Sequence, residues 1–189
     1  MVLFFCSLIG FILFLVLIQR GKLQQKEEKF ALFVIKSRTP SLTRMMHFFT
    51  NLGKALPTTL ILLILYFVPT TQKVLAPKVI ASVVLVSVLT YIIKRIIRRE
   101  RPTDYRLVEE KDHSFPSAHA STSAALYGTI ALNFSLLLPA AVLPLGLLAV
   151  LLSFMIGFSR VYLGIHFLTD VIGGWFLGTA VAALITTLL

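Results

Sequence analysis

Long apolar runs separated by polar stretches dominate this chain, and charged residues gather between the runs instead of alternating along amphipathic faces. Crossing a bilayer takes about 20 apolar residues in a helix, since a helix satisfies its own backbone polar groups. Six runs meet or approach that length: Val2–Gln19, Ala55–Val68, Val79–Ile93, Ala118–Leu136, Ala140–Phe158 and Phe167–Leu189. The second and third are short and depend on their flanks. Pro139 and Pro144 lie around the turn into the fifth run, where proline near a helix start removes no needed donor, so a tight hairpin is expected there.

Two connections carry most of the polarity. In Gly21 to Lys54, the charged residues Lys26, Glu27, Glu28 and Lys29 precede Phe30, Leu32, Phe33, Val34 and Ile35, which fits an amphipathic helix lying in the membrane interface, with Pro40 and Gly53 as punctuation. Lys94 to Phe115 holds seven basic and five acidic residues and the turn formers Pro102, Thr103 and Asp104. Without internal repeats or low-complexity tracts, residues 1–189 read as one membrane-embedded domain. The expected fold is all-α, a six-span transmembrane bundle with an interfacial amphipathic helix between spans one and two.

Composition sharpens this picture. The chain is 57% hydrophobic with a mean hydropathy of +0.90, above the roughly 45–50% apolar share of soluble domains. The single cysteine, Cys6, lies inside the first run, which excludes a disulfide framework and a cysteine-based metal site. Met1 to Ile18 lacks a basic n-region, and Gln19 and Arg20 stand where a cleavage site would need small residues, so this run reads as a retained span. A net charge of +10 would suggest nucleic acid in a soluble protein. Here the basic residues flank the spans, so anionic lipid head groups are the expected partner, with no nucleic acid.

Three polar clusters sit at the ends of apolar runs, where charge is costly unless function or water repays it. By parity of the six spans, all three fall on one side of the membrane. Lys94 is followed after six residues by Arg101 and Pro102, and a Lys and an Arg converging on one point can neutralise a phosphate. Phe115-Pro116-Ser117-Ala118-His119 leads into the fourth run, so that helix-start N–H groups and the Ser117 hydroxyl form an anion site and His119 is placed to protonate a departing alkoxide. Ser159-Arg160 is followed by His166 and then by Asp170, which is the only acidic residue after Asp112. One helical turn apart, Asp170 can hold the His166 tautomer and leave the other ring nitrogen to attack phosphorus. Three cations, two histidines and one carboxylate match the needs of a phosphorane-like state, and metal catalysis fits less well.

Lys94-x6-Arg101-Pro102, Pro116-Ser117-Ala118-His119 and Ser159-Arg160-x5-His166-x3-Asp170 together resemble the three-part signature of the type 2 phosphatidic acid phosphatase superfamily, in order and in spacing. Its bacterial phosphatidylglycerophosphatase B-like and undecaprenyl pyrophosphate phosphatase members are the nearest in appearance. The resemblance implies that His166 is the nucleophile forming a phosphohistidine, Asp170 its partner, and His119 the acid for the leaving group and later the base for water. It implies that Lys94, Arg101, Ser117, the Ala118 backbone and Arg160 bind the phosphoryl oxygens, with no metal, no cofactor and no obligate protein partner. Ala118 departs from the glycine usual in the family; its N–H survives, but a positive φ there would be strained.

The resemblance also implies lateral entry of a membrane lipid and an extracytoplasmic active site. Lys and Arg number 16 on the face bearing the clusters against 2 on the other, and the positive-inside rule alone would turn that face to the cytoplasm. Two other classes compete. Vanadium haloperoxidases share the constellation but are soluble, and an anion channel or lipid transporter would use the cations for selectivity with no need of a His and carboxylate one turn apart.

Overall fold

The computed structural model describes residues 1–103, 105–134 and 142–189, and these form nine α-helices and no strand. In chain order they are α1 (Val2–Gln19), α2 (Gln24–Lys36), α3 (Pro40–Leu52), α4 (Ala55–Phe67), α5 (Pro69–Gln72), α6 (Leu75–Ile97), α7 (Ala118–Asn133), α8 (Val142–Tyr162) and α9 (Leu168–Leu188). Among the described residues, α1, α6, α8 and α9 are long and apolar enough to cross a membrane, and α3 with α4, bent by 51° at their junction, makes a fifth candidate. The hairpin expected around Pro139 lies outside the described residues, while Pro144 sits in the first turn of α8.

The bundle is built around α7, which packs on α9, α8 and α6. Small residues let α7 and α9 approach closely. A Cβ added at Gly174 would stand 2.8 Å from the Ser117 carbonyl oxygen, and one at Gly178 would stand 2.7 Å from the Ala124 Cβ and closer still to the Ser121 carbonyl. Helices in lipid gain little from the hydrophobic effect and rely on such backbone approach and on interhelical hydrogen bonds. Thr90 and Ser121 (2.9 Å), Thr129 and Ser82 (2.8 Å), and Ser123 and Ser153 (3.0 Å) supply the latter. The outer faces of α1 and α8 expose Phe5, Ile9, Leu13, Leu143, Leu147 and Val150, apolar surface suited to lipid tails.

Several expected elements differ from those observed: the fourth run forms α7, which at 16 residues is not among the candidate spans, and the second run is a candidate only as half of the bent α3–α4 pair. The third span starts at Leu75 and ends at Ile97, longer at both ends than the apolar run, because Lys78 reaches Asn133 Oδ1 (3.0 Å) and Lys94 is buried against Asp112 (2.8 Å). A lysine with a partner need not end a helix. The fifth span likewise continues through Arg160 to Tyr162 and stops before Gly164, whose φ of +77° breaks the helix. In place of one amphipathic helix, residues 24–52 form two. Thr39 caps the second by accepting from Leu42 N–H (3.2 Å), and Pro40 opens it.

Candidate active site

The C-termini of α6 and α8 and the N-termini of α7 and α9 meet at one end of the bundle, bringing all three polar clusters together with the loop of residues 98–117. Backbone bonds tie the base of this site. Ser114 N–H donates to Arg99 O (2.8 Å), and Ser117 N–H to Asp170 O (3.0 Å). Lys94, Arg101, Ser117, Arg160, His166 and Asp170 are all buried.

Arg101 donates from Nε to Asp112 O (2.8 Å) and from Nη1 to Ile165 O (2.8 Å), and it reaches His166 Nε2 at 3.1 Å. On the other side of the ring, His166 Nδ1 lies 3.4 Å from Asp170 Oδ2 and 3.3 Å from Ser114 Oγ, and Ser114 donates to the same Oδ2 at 2.5 Å. Since a guanidinium only donates, Nε2 must accept, which leaves the ring proton on Nδ1 facing Asp170 and Ser114. Burial pushes the His166 pKa well below its usual 6.5, and Arg101, Arg160, Lys94 and His119 add to the effect. The ring is held neutral with its lone pair turned toward the cations.

Asp170 occupies the first turn of α9. Its Oδ2 accepts from Phe167 N–H (2.9 Å) and its Oδ1 from Arg99 Nη1 (2.6 Å). Ala118 begins α7 with Ser117 as N-cap. Among the described residues the non-glycine positive φ angles are at Arg98 and Tyr105, so alanine sits at 118 without strain.

The cations are held by acidic loop residues. Asp112 pairs with both Lys94 and Arg101, and Glu110 pairs with Arg160. Burial pulls the Asp112 pKa upward, but the hydrogen bond and charge of Lys94 and the charge of Arg101 outweigh it and hold it at about 2. Arg160 also donates to Thr50 Oγ1 of α3 (2.7 Å).

Among the described residues, three buried side-chain polar atoms lack a partner: Ser117 Oγ, His119 Nε2 and Arg160 Nε. Each such orphan costs about 1–3 kcal/mol, so folds rarely keep them without a use. All three belong to residues singled out from the sequence. Residues that sequence reasoning did not single out are Arg99, Asp112, Ser114, Glu110, Thr50 and Glu27. The acidic richness of the 98–117 loop was the one available sign of Glu110 and Asp112.

The profile of the PAP2 superfamily matches residues 76–189, from α6 to the end of the chain. Phosphatidylglycerophosphatase B of Bacillus subtilis (strain 168) is 41% identical over 97 residues, covering 48% of this chain and 46% of that protein. By sequence the match therefore spans about half the length of that relative. The undecaprenyl-diphosphatase of Sulfolobus acidocaldarius is 32% identical over 153 residues, which cover 76% of this chain and 69% of that one. A crystal structure described as the first transmembrane PAP2 type phosphatidylglycerolphosphate phosphatase from Bacillus subtilis superposes with a TM-score of 0.91 at 27% identity, over 99% of this chain and 96% of that one.

Proposed function

The chain belongs to the PAP2 superfamily, and from that premise we propose that it is an integral membrane lipid phosphatase that releases a terminal phosphate through a phosphohistidine on His166. Phosphatidylglycerophosphate and undecaprenyl pyrophosphate are the favoured substrates, by likeness to the relatives named above. The observation that carries the reading is the set of three orphaned atoms on Ser117, His119 and Arg160, at the same end of the bundle as a buried His166 whose Nε2 faces Arg101. A phosphoryl group would satisfy those orphans.

In this reading His166 Nε2 attacks phosphorus while the bond to the lipid oxygen breaks, and Asp170 with Ser114 stabilises the Nδ1–H side of the ring as positive charge develops. His119 gives its proton to the departing oxygen, then takes one from the water that cleaves the phosphohistidine. Lys94, Arg101, Arg160, the Ser117 hydroxyl and the Ala118 N–H at the start of α7 hold the phosphoryl oxygens. Three cations compensate the charge in place of a metal. Asp112 and Glu110 must release those cations as the phosphate arrives.

The membrane arrangement proposed with it counts six spans, α7 and the α3–α4 pair among them, in one domain, with α2 lying at the interface and the site facing outward. Its test is phosphate release by the detergent-purified protein from phosphatidylglycerophosphate, undecaprenyl pyrophosphate and phosphatidic acid, with EDTA present. Release should survive EDTA and fall by at least about a thousandfold in His166→Ala. Release from none of the lipids, or release untouched by the substitution, would sink the mechanism in favour of a transporter.

A further inference from the structure

The reaction described above uses Asp170 to orient His166 but leaves a buried ionic network behind Asp170 without a role. The two oxygens of Asp170 are not equivalent. Oδ2 faces His166 and accepts from Ser114 and Phe167, while Oδ1 accepts from Arg99 Nη1 at 2.6 Å. Arg99 is itself fixed on several sides. It donates to Thr169 Oγ1 (2.8 Å) and to Glu27 Oε2 (2.5 Å), and its guanidinium carbon lies 4.6 Å from the centre of the Phe167 ring.

Glu27 comes from α2, far away in the chain, yet it is buried, and its other oxygen accepts from the Thr169 N–H (3.1 Å) and the Thr169 hydroxyl. Burying two carboxylates around one guanidinium is expensive compared with apolar packing, so such a network is weak as a stability device and calls for another use. With Oδ1 pinned, the Asp170 carboxylate cannot rotate, and Oδ2 stays on the Nδ1 side of His166.

We propose that Arg99 and Glu27 are positioning residues for phosphoryl transfer: Arg99 orients Asp170, Glu27 orients Arg99, and α2 must therefore be docked for His166 to be competent. Among the described residues, the side-chain bonds of Arg99 and Glu27 run to Asp170, Thr169, Gln24 and one another, not to Lys94, Arg101, Ser117 or Arg160. The proposal rests on the phosphatase reading, and it adds residue 27, which lies outside the segment matched by the family profile.

The test uses the full chain in detergent, with Glu27→Gln, Arg99→Gln and Arg99→Lys, and with rates normalised to folded protein by gel filtration and thermal unfolding. Glu27→Gln preserves shape and one acceptor oxygen while removing the charge and one of the two acceptors that Arg99 and Thr169 share between them, so it serves if Arg99→Gln fails to fold. Loss of an orienting partner costs about 10- to 100-fold, expected here in kcat with KM within about twofold, and Arg99→Lys should recover part of it. The second readout is the His166 tautomer by 15N NMR of histidine-labelled protein, which is tractable because the chain has only four histidines.

Parent protein should show the proton on Nδ1, and Arg99→Gln and Glu27→Gln should show a mixture of tautomers. Unchanged kcat per folded molecule, or a lowered kcat with an unchanged tautomer, would overturn the proposal and leave the network as an anchor for α2. If the parent itself releases no phosphate, the phosphatase reading fails, and the tautomer shift alone decides whether Arg99 orients Asp170.

Discussion

Because a guanidinium can only donate, the 3.1 Å contact from Arg101 leaves the His166 lone pair on Nε2, Asp170 and Ser114 hold the proton on Nδ1, and burial favours the neutral ring. The same depressed pKa has a consequence for stability. Above pH 6.5 the imidazole is neutral in both folded and unfolded chains; as pH falls through 6.5 only the unfolded chain takes up the proton. The stability linked to this group is thus complete above 6.5 and lost as pH falls below it. Thermal unfolding between about pH 7.5 and about pH 5.5 should show a falling midpoint, and His166→Gln should flatten part of that fall. Asp112 pairs with the cations Lys94 and Arg101. Half exposed and ionised, it competes for Lys94 and Arg101 with any incoming anion. Asp112→Asn should therefore tighten inhibition by inorganic phosphate by about two- to fivefold, the scale of a half-exposed ion pair, and an unchanged inhibition constant would contradict this competition. The signature residues were legible because their spacing within each cluster is local. Arg99 and Ser114 were not, because what marks them is contact with Asp170, 71 and 56 residues away.

At the scale of the helices, the break between α3 and α4 is part of the site. Gly53 lies at that 51° bend, and a Cβ there would stand 2.7 Å from His119 Cδ2 and 2.6 Å from Ile156 Cγ2. Gly53→Val should push the His119 ring aside and lower kcat while leaving the protein folded, which steady-state kinetics alongside a thermal melt will show. Gly178 has the other kind of constraint, since the backbone of α7 lies against it. Gly178→Leu overpacks that contact and should destabilise the bundle by about 1–3 kcal/mol or more, read as lower yield and a lower unfolding midpoint. Gly53 was visible in the sequence as punctuation, but its contact with His119, 66 residues on, left no local trace. The extension of α6 through Lys94 and of α8 through Arg160 was hidden for a related reason: hydropathy treats a charge as a boundary, and only the partner across the bundle shows that the helix continues.

For the whole molecule, the apolar runs anticipated an all-helical membrane fold because the demand for internal backbone hydrogen bonds leaves few alternatives in lipid. Sidedness is less constrained, since the basic excess expected on the site-bearing face includes Lys94, Arg101 and Arg160, to which the proposed mechanism gives a role at the phosphate, and topology alone need not account for them. The outward orientation proposed here can be read with Glu109, an exposed residue of the 98–117 loop. In a Cys6→Ser background, Glu109→Cys should react with a membrane-impermeant maleimide in intact cells; reaction only after permeabilisation would place the site in the cytoplasm. The central claim is that His166 becomes phosphorylated. The most direct measurement is to mix the parent protein with lipid carrying a 32P-labelled terminal phosphate, quench within the first turnover, and assay the protein for label. A phosphohistidine on His166 requires an acid-labile, base-stable phosphoenzyme in the parent and none in His166→Ala, whereas a parent that releases phosphate in a single turnover without ever carrying label would contradict it.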